Sequence, residues 1–380
     1  MSNLNKKLGI LGGGQLGKML CQAASIWSIK TLVMDKSDYP ASDIASEYFV
    51  GDINSEADVL NFGRKVDVLT IEIEHVNLAA LFQLELEGVE IHPKPSALKL
   101  IKDKGFQKQF YKKNNIETAP FELFESKEAI SQAIHYGVLN FPFVQKTRSG
   151  GYDGKGVSVI KSEADLSLIM DAPSVIEQLA NIEMEIAVIA ARNKSGEIKC
   201  FDTVGMEFHG DANLVEELIC PANISLKIDE KAKQIAAEII EKMDICGLLA
   251  VEFFYNKDGS LWVNEVAPRP HNSGHHTIEN AYTSQYQQHI RGVMDFPLGD
   301  TTTRCPAMLL NLLGSEGYSG DAIYQGFEEV VAIKGVFPHL YGKKETKPFR
   351  KMGHITIIGE QMADIQQKAA LVKKKLKVVA

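Results

Sequence analysis

The stretch that decides the fold runs from residue 248 to residue 276 and reads LLAVEFFYNKDGSLWVNEVAPRPHNSGHH. Two apolar, aromatic-rich runs flank Asp258-Gly259, which predicts a β-hairpin closed by a two-residue type I′ turn. Such a turn fixes the register and places Glu252 directly opposite Glu265. We therefore expect the Cβ atoms of these two acids to lie roughly 5 Å apart.

Two opposed carboxylates among apolar neighbours do nothing for the stability of a hairpin, because like charges across a ladder repel. One interpretation is that both are simply solvated on an exposed sheet face. The alternative is a divalent cation between them, since Mg²⁺ is commonly held by one or two carboxylates together with substrate phosphates. Asn264 adds a further oxygen donor. We predict a Mg²⁺ site at Glu252 and Glu265, at which Mn²⁺ can substitute.

A glycine-rich stretch lies about a hundred residues upstream and reads VQKTRSGGYDGKGVSVI, residues 144–160. It is not a Walker motif. Glycines between two short strands can form a mobile surface hairpin, or a lid whose backbone N–H groups cover phosphates. Lys146, just before the glycines, would reach those phosphates as a point charge. Together with the downstream carboxylates, this order favours a phosphate lid at residues 149–157.

The bulk properties limit the class of protein. The chain has 380 residues, which predicts two or three domains, and its net charge of −8 argues against nucleic acid as the main partner. No run approaches the roughly 18 apolar residues of a membrane span. The five cysteines are scattered and form no C-x-x-C pair, which favours free thiols in a reducing, cytoplasmic setting.

The pattern of elements predicts three domains, at residues 1–100, 101–296 and 297–380. The first alternates strands with helices, as in an open, mainly parallel sheet; its strand candidates lie at 7–11, 30–35, 47–52, 66–74 and 88–93, and its helices at 55–63 and 78–86. The second begins with a basic helix pair and continues as an antiparallel sheet interrupted by a helix at 229–243. The third has short strands at 306–314, 331–337 and 354–359 and a lysine-rich terminal helix.

The first domain opens with a glycine fingerprint. Gly12, Gly14 and Gly17 satisfy G-x-G-x-x-G between a strand and a helix, and Asp35 ends the next strand, as in a dinucleotide-binding fold. A nicotinamide enzyme has no need of a lid and a carboxylate pair two hundred residues further on. We therefore interpret Asp35 as an ordinary strand-end acid and the fingerprint as misleading.

Several motifs together carry a family resemblance. Lys146, the GGYDGKG lid at 150–156, EQL at 177–179, Glu185, Glu252 and Asn264-Glu265 resemble the ATP-grasp superfamily. NEVAPRPHNSGH at 264–275, with GILGGGQLGKML at 9–20, IEIEHV at 71–76 and FRKMGHI at 349–355, resembles the N5-carboxyaminoimidazole ribonucleotide synthetase family of purine biosynthesis. The resemblance spans nearly the whole chain.

The resemblance implies both fold and reaction. The fold would be α/β and α+β, with an N-terminal open parallel-sheet domain, a central two-lobed ATP-binding domain and a small β-rich C-terminal domain. ATP and bicarbonate would form carboxyphosphate, which carboxylates the amine of 5-aminoimidazole ribonucleotide and leaves ADP and phosphate. The family also implies a homodimer.

The resemblance further assigns an ATP site. Its members are Lys104, Lys146, the lid residues Gly151, Tyr152, Asp153, Gly154, Lys155 and Gly156, the strand Glu177-Gln178-Leu179-Ala180 against the adenine, Glu185 at the ribose, His209, Asn264 and Glu265. Many relatives carry arginine at position 104, and lysine there keeps the charge without the bidentate fork.

Two further groups concern the other substrates. Arg269, His271 and Asn272 would hold bicarbonate, since a planar anion suits a guanidinium fork and hydrogen-bond donors near the γ-phosphate. The ribonucleotide would meet Gly14, Gln15, Leu16, Tyr152, Arg350, Lys351 and an acid at the end of a strand. That acid is Glu72 or Glu74, and we favour Glu74.

Three other functions remain as alternatives. A formate-dependent glycinamide ribonucleotide transformylase shares the superfamily architecture. An NAD-dependent oxidoreductase is supported by the first forty residues and by nothing after them. A catalytically silent nucleotide-binding module conflicts with the intact acids at 252 and 265 and with Lys146.

Overall fold

The computed structural model describes residues 3–37, 39–150, 156–209 and 214–380, without the side chains of residues 208, 209, 214 and 215. The fold class predicted from the sequence is confirmed: an N-terminal parallel sheet is followed by antiparallel lobes and a β-rich C-terminal region. Within the described ranges, no helix has the length and apolar character needed to cross a membrane.

The N-terminal sheet has the strand order β3-β2-β1-β4-β5, with all pairs parallel. Its strands β1, β2 and β4 are buried along their whole length, as expected for a parallel sheet covered on both faces. The elements, in chain order, are β1 (Leu8–Leu11), α1 (Gln15–Ser25), β2 (Thr31–Asp35), β3 (Glu47–Val50), α2 (Glu56–Gly63), β4 (Val68–Ile71), α3 (Leu78–Leu86) and β5 (Glu90–His92).

One predicted strand of this domain is too long. β4 ends at Ile71, so Glu72 and Glu74 lie in the loop beyond the strand and not within it. The carboxyl ends of parallel strands form one edge of the sheet, where ligands of such folds bind. The correction therefore brings both acids to the edge that also carries the glycine turn after β1.

The central region contains two antiparallel sheets, in the order β6-β9-β7-β8 and in a larger sheet that begins β15-β14-β10-β12-β13. Its elements are α4 (Pro95–Ile101), α5 (Lys104–Lys113), β6 (Phe121–Phe124), α6 (Lys127–His135), β7 (Phe143–Thr147), β8 (Val157–Ile160), β9 (Ser174–Gln178), β10 (Ile182–Arg192), β11 (Ile198–Cys200), β12 (Val204–His209), β13 (Leu214–Cys220), α7 (Leu226–Lys242), β14 (Gly247–Asn256), β15 (Leu261–Ala267), α8 (Thr277–Asn280) and α9 (Gln285–Val293).

Helix α7 starts three residues before the predicted start at residue 229. The hydroxyl of Ser225 accepts a hydrogen bond from the backbone N–H of Ile228, which is an N-cap interaction. The apolar face of α7 packs against strands β10 and β14, and the three elements enclose a hydrophobic core. On the opposite face, a second apolar cluster covers the end of β14 that carries Leu248 and Ala250, and Glu252 follows these residues on the same face.

The hairpin of β14 and β15 differs from its predicted turn. Asn256 pairs with Ser260, and Gly259 has φ of +85°, so the loop has three residues and is not a type I′ turn. This shifts the register by one residue near the turn. A β-bulge between the Phe253–Val263 and Glu252–Glu265 pairs shifts it back. The predicted pairing of Glu252 with Glu265 is therefore confirmed, although the predicted turn was wrong.

The C-terminal region continues the large sheet, because β13 pairs with β16 and the order runs on as β16-β21-β19. The predicted strand at 331–337 is wrong in its first half: the chain leaves a short helix at Val331 and turns at Gly335, and the strand begins at Val336. The elements are β16 (Ala307–Leu313), β17 (Gly320–Asp321), β18 (Ile323–Gln325), α10 (Phe327–Val331), β19 (Val336–Leu340), β20 (Glu345–Thr346), β21 (Lys351–Ile358), α11 (Met362–Lys375) and β22 (Lys377–Val379).

Candidate active site

The centre of the candidate site is the pair Glu252 and Glu265 on β14 and β15. Val263 and Val266 both belong to the hydrophobic core on the far face of the sheet. In a regular strand, residues three positions apart point to opposite faces, so Val263 and Val266 can share a face only because of the bulge between them. The bulge leaves both intervening residues, Asn264 and Glu265, on the near face, opposite Glu252. Two carboxylates and an amide oxygen thus meet at one rung of the ladder.

The two carboxyl groups differ in their charge state. Burial, and then the carboxylate of Glu265, raise the pKa of Glu252 well above its usual range. Burial acts in the same direction on Glu265, but the ammonium of Lys104, 2.6 Å from its Oε2 atom, outweighs it and holds that pKa low. The charge on Glu265 is therefore paired with Lys104 and opposes ionisation of Glu252, which a divalent cation at the rung would instead favour.

Two lysines contact this rung, and a third shares an ion-pair partner with one of them. Lys146, on β7, donates to the Asn264 Oδ1 atom at 2.7 Å and pairs with Glu177 at 2.9 Å. Lys104 and Lys108 are one turn apart on α5, and Lys108 also pairs with Glu177 at 2.9 Å. We did not predict Lys108 from the sequence, although its i,i+4 spacing from Lys104 places both on one helix face.

The segment expected to meet adenine is not a continuous strand. β9 ends at Gln178, and Leu179 and Ala180 lie in the short connection to β10. The carboxylate of Glu177 is bound by the two lysines described above, which leaves only its backbone for other contacts. Glu185, on β10, lies on the site face, and burial raises its pKa to about 7.

The segment after β15 brings together the residues predicted to bind bicarbonate. The Arg269 Nε atom is 2.9 Å from the Glu74 Oε1 atom, which joins the central region to the N-terminal domain. The Nδ1 atom of His271 accepts from the backbone N–H of Ser273 at 3.3 Å, which assigns the ring proton to Nε2. That atom is 3.5 Å from Glu252 Oε1. Asn272 begins the single-turn 3₁₀ helix that follows.

His271 is a neutral imidazole in this setting. Burial lowers its pKa to about 3, and the positive charges of Arg269 and Lys351 act in the same direction. Lys351 begins β21 and so contributes to the site from the C-terminal region. Arg350 instead donates to the Glu345 carbonyl oxygen at 2.7 Å, within its own turn.

The glycine turn after β1 is already filled by protein carboxylates. Glu72 accepts hydrogen bonds from the backbone N–H groups of Gly14 at 2.6 Å and Gly17 at 2.5 Å. Asp35, the last residue of β2, accepts a hydrogen bond from the backbone N–H of Gly13 at 2.8 Å and so also supports the turn. These N–H groups are the ones that a dinucleotide pyrophosphate would need.

The glycines are required here by the protein itself. A Cβ atom on Gly12 would lie 2.2 Å from the Glu72 side chain, and one on Gly14 would lie 2.5 Å from it. The glycines of the fingerprint therefore allow the backbone to approach the Glu72 side chain closely. The same glycine pattern would also allow close approach to a ligand, so the sequence alone does not distinguish the two. Gln15 and Leu16 open helix α1 beside this turn.

Some predicted residues cannot be placed. Gly151, Tyr152, Asp153, Gly154 and Lys155 lie outside the described residues, as does the side chain of His209. Gly156, at the far end of the lid, has φ of +76°. Its carbonyl oxygen accepts from the backbone N–H of Thr147, and the flanking strands β7 and β8 pair with each other.

Comparison with known proteins gives matches along nearly the whole chain. The ribonucleotide synthetase preATP-grasp domain matches residues 5–102, the ATP-grasp domain residues 109–286, and the phosphoribosylaminoimidazole carboxylase C-terminal domain residues 307–368. The chain spans about two thirds of the length of the phosphoribosylaminoimidazole carboxylases of Vigna aconitifolia (38% identical over 96% of this chain and 66% of that one) and Saccharomyces cerevisiae (36%, 96% and 65%).

Other relatives match from end to end. The N5-carboxyaminoimidazole ribonucleotide synthase of Bacillus subtilis is 36% identical over 92% of this chain and 91% of its own. The synthetase structure from Thermotoga maritima has a TM-score of 0.90 and 41% identity and covers 99% of both chains. The Aspergillus clavatus synthase, in complex with ADP and 5-aminoimidazole ribonucleotide, has a TM-score of 0.89 and 30% identity over 98% of both chains. This chain belongs to the N5-carboxyaminoimidazole ribonucleotide synthase family of ATP-grasp enzymes.

Proposed function

We propose that this protein carboxylates 5-aminoimidazole ribonucleotide with bicarbonate at the expense of ATP, giving N5-carboxyaminoimidazole ribonucleotide, ADP and phosphate. The observation that carries the proposal is the 2.9 Å ion pair between Glu74 and Arg269. It places the strand-end edge of the N-terminal domain against the segment that follows the paired carboxylates. A group activated at the carboxylates can thus reach an amine bound at that edge.

The residues present suit ATP with a divalent cation. Glu252 and Glu265 oppose each other, the Glu265 carboxylate helps to raise the pKa of Glu252, and Asn264 adds an oxygen, so a divalent cation would relieve the conflict between the two acids. Over the described ranges no cluster of three or more histidine, cysteine or acidic side chains has the arrangement of an all-protein metal cage. A Mg²⁺ ion held by two carboxylates and by phosphate oxygens suits these donors. Bound there, Mg²⁺ would neutralise charge on the phosphates.

The lysines and the connection after β9 supply the remaining nucleotide contacts. Lys146 and Lys104 carry the positive charge nearest the rung and bind the phosphates. The backbone of residues 177–180 meets the adenine edge, and Glu185, on the same face, meets the ribose. Lid residues 149–157 and His209 complete the site, as the family resemblance implies.

Bicarbonate binds beside the γ-phosphate, at Arg269, His271 and Asn272. Arg269 offers the guanidinium fork that a planar anion needs. His271 is neutral and carries its proton on Nε2, so it acts as a hydrogen-bond donor without a formal charge. His271 therefore orients the anion through a hydrogen bond, while Arg269 alone supplies the positive charge that pairs with it.

The ribonucleotide binds at the edge of the N-terminal sheet. Glu74 faces the amine that is carboxylated, and Gly14, Gln15 and Leu16 contact the rest of the ribonucleotide, to which the family resemblance adds Tyr152. Lys351 and Arg350 face the 5′-phosphate. We assign the substrate to Glu74 because the carboxylate of Glu72 already accepts two backbone hydrogen bonds.

The test is phosphate release from ATP, measured with and without the other substrates. We expect release to require Mg²⁺, bicarbonate and 5-aminoimidazole ribonucleotide together. Turnover that depends instead on formate and glycinamide ribonucleotide would replace this proposal with the transformylase. We also propose a homodimer, as the family resemblance implies, and light scattering of the purified protein checks it.

A further inference from the structure

A buried charge cluster lies beneath the candidate phosphate site. The carboxylate of Glu177 is held between two ammonium groups, with Lys108 Nζ 2.9 Å from one oxygen and Lys146 Nζ 2.9 Å from the other. Lys108 and Glu177 are each 3% exposed and Lys146 is 8% exposed. The cluster has two positive charges and one negative charge.

Lys108 differs from Lys146 in what else it can reach. Its ammonium donates to the Thr118 hydroxyl at 2.5 Å, and that hydroxyl donates to the Val263 carbonyl oxygen at 2.6 Å. These contacts hold Lys108 beside the backbone of β15. Lys146 instead reaches the Asn264 side chain on the site face. Within the cluster, Lys146 is therefore directed toward the site face and Lys108 toward the backbone of β15.

The charge balance gives Lys108 a role in spite of its burial. A buried carboxylate with one lysine partner forms a neutral pair, and Lys146 would then present little net charge to a phosphate. Because Lys108 shares Glu177, the cluster keeps one net positive charge. Buried charges are weakly screened, so this excess acts over several ångströms.

We propose that Lys108 is a positioning residue for the nucleotide phosphates: by sharing the carboxylate of Glu177, it leaves Lys146 with a net positive charge directed at them. This inference depends on one part of the proposed function, namely that Lys146 binds the phosphates of ATP. It adds to that function a residue that never touches the ligand. The role predicts that affinity depends on the net charge of the cluster, not only on its shape.

The experiment compares a series of ligands by calorimetry. Lys108→Met keeps the length of the side chain and removes its charge, which makes the cluster neutral. We expect affinity for adenosine to change less than twofold, whereas affinity for ADP and ATP falls about tenfold or more. An equal loss for all three ligands would show a purely structural role and overturn the proposal.

A charge-restoring variant tests the same idea from the other side. Glu177→Gln combined with Lys108→Met returns the cluster to one positive charge, and we expect it to bind ATP more tightly than Lys108→Met alone. If Lys108→Met does not fold, the double variant is compared with Glu177→Gln, whose cluster carries two positive charges. The double variant should then bind ATP more weakly, and equal affinity would overturn the proposal.

Lys231→Met is the matched control. Lys231 also forms a 2.8 Å ion pair, with Glu117, but on the exposed surface. We expect its ATP and adenosine affinities to equal those of the wild type, and a loss as large as that of Lys108→Met would overturn the proposal. Wild-type protein that binds no adenine nucleotide would instead refute the proposed function itself, so the two failures are distinguishable.

Discussion

Glu252 and Glu265 lie opposite each other because Asn264 is an extra residue in β15. With the three-residue loop alone, Glu252 would face Asn264, and Glu265 would point into the hydrophobic core. The bulge instead places Asn264 and Glu265 together against one carboxylate. A bulge disrupts the ladder locally, and here it sits at the rung where the charges converge.

Glu265→Gln tests the role of this rung. The amide keeps the shape of the side chain but removes one anionic cation ligand and the ion pair with Lys104. Since charge neutralisation by a bound metal contributes several kcal/mol to a transition state, we expect ATP turnover to fall by about 100-fold or more. The measurement is phosphate release across a range of Mg²⁺ concentrations.

The matched control for that variant is Glu117→Gln, which also removes a carboxylate paired with a lysine, but on the exposed surface. It should keep wild-type turnover and the same Mg²⁺ requirement. If Glu265→Gln retains near-normal turnover at limiting Mg²⁺, the assignment of the metal site is wrong. Equal thermal midpoints of the two variants would show that neither effect comes from unfolding.

The sequence predicts the elements and the acids of this site better than it predicts the contacts between them. Residue types and spacing find Glu252, Glu265 and Lys146. Residue types and spacing cannot reveal the bulge. A two-residue turn without a bulge and a three-residue loop with a bulge both pair Glu252 with Glu265. Residue types and spacing also miss Lys108, since its partner Glu177 is far away in sequence, and they do not reveal that Glu72 binds the backbone N–H groups of the glycine turn.

Glu72 is expected to matter for stability and for the exclusion of dinucleotides. Glu72→Ala leaves the backbone N–H groups of Gly14 and Gly17 without their partner, which costs about 1–3 kcal/mol for each buried donor. Chemical denaturation measures this loss. In the wild type, Glu72 and Asp35 occupy the pyrophosphate donors, so calorimetry should detect no NADH binding. Micromolar NADH affinity would instead support the alternative function of an NAD-dependent oxidoreductase.

Glu74→Ala separates the two substrate sites. Glu74 lies in the N-terminal domain, whereas the lysines and acids of the ATP site lie in the central region. Loss of one charged hydrogen bond costs roughly 1.5–3 kcal/mol, so we expect kcat/KM for 5-aminoimidazole ribonucleotide to fall tenfold or more. The affinity for ATP, measured by calorimetry, should stay within about twofold. An equal loss for both ligands would contradict the assignment.

His289 links the N-terminal sheet to β14 and requires a neutral ring. Its Nδ1 atom accepts from the Leu248 backbone N–H at 3.3 Å, so the proton lies on Nε2, which donates to the Thr70 hydroxyl at 2.8 Å. The side chain is fully buried. Burial lowers its pKa from 6.5 to about 3, and the nearby His92 acts in the same direction.

This shift predicts a loss of stability in acid. Below pH 6.5 the unfolded chain binds a proton at His289 that the folded chain excludes, so the folded state loses about 1.4 kcal/mol per pH unit from this residue as pH falls. His289→Gln keeps a donor and an acceptor without a titrating ring. We therefore measure the free energy of unfolding with denaturant at pH 7.0, 6.0 and 5.0. Relative to the wild type, the free energy of unfolding of the variant should rise by about that amount for each pH unit below 6.5. His135→Gln, at an exposed helix position, should show no such gain, and parallel pH profiles for wild type and His289→Gln would refute the prediction.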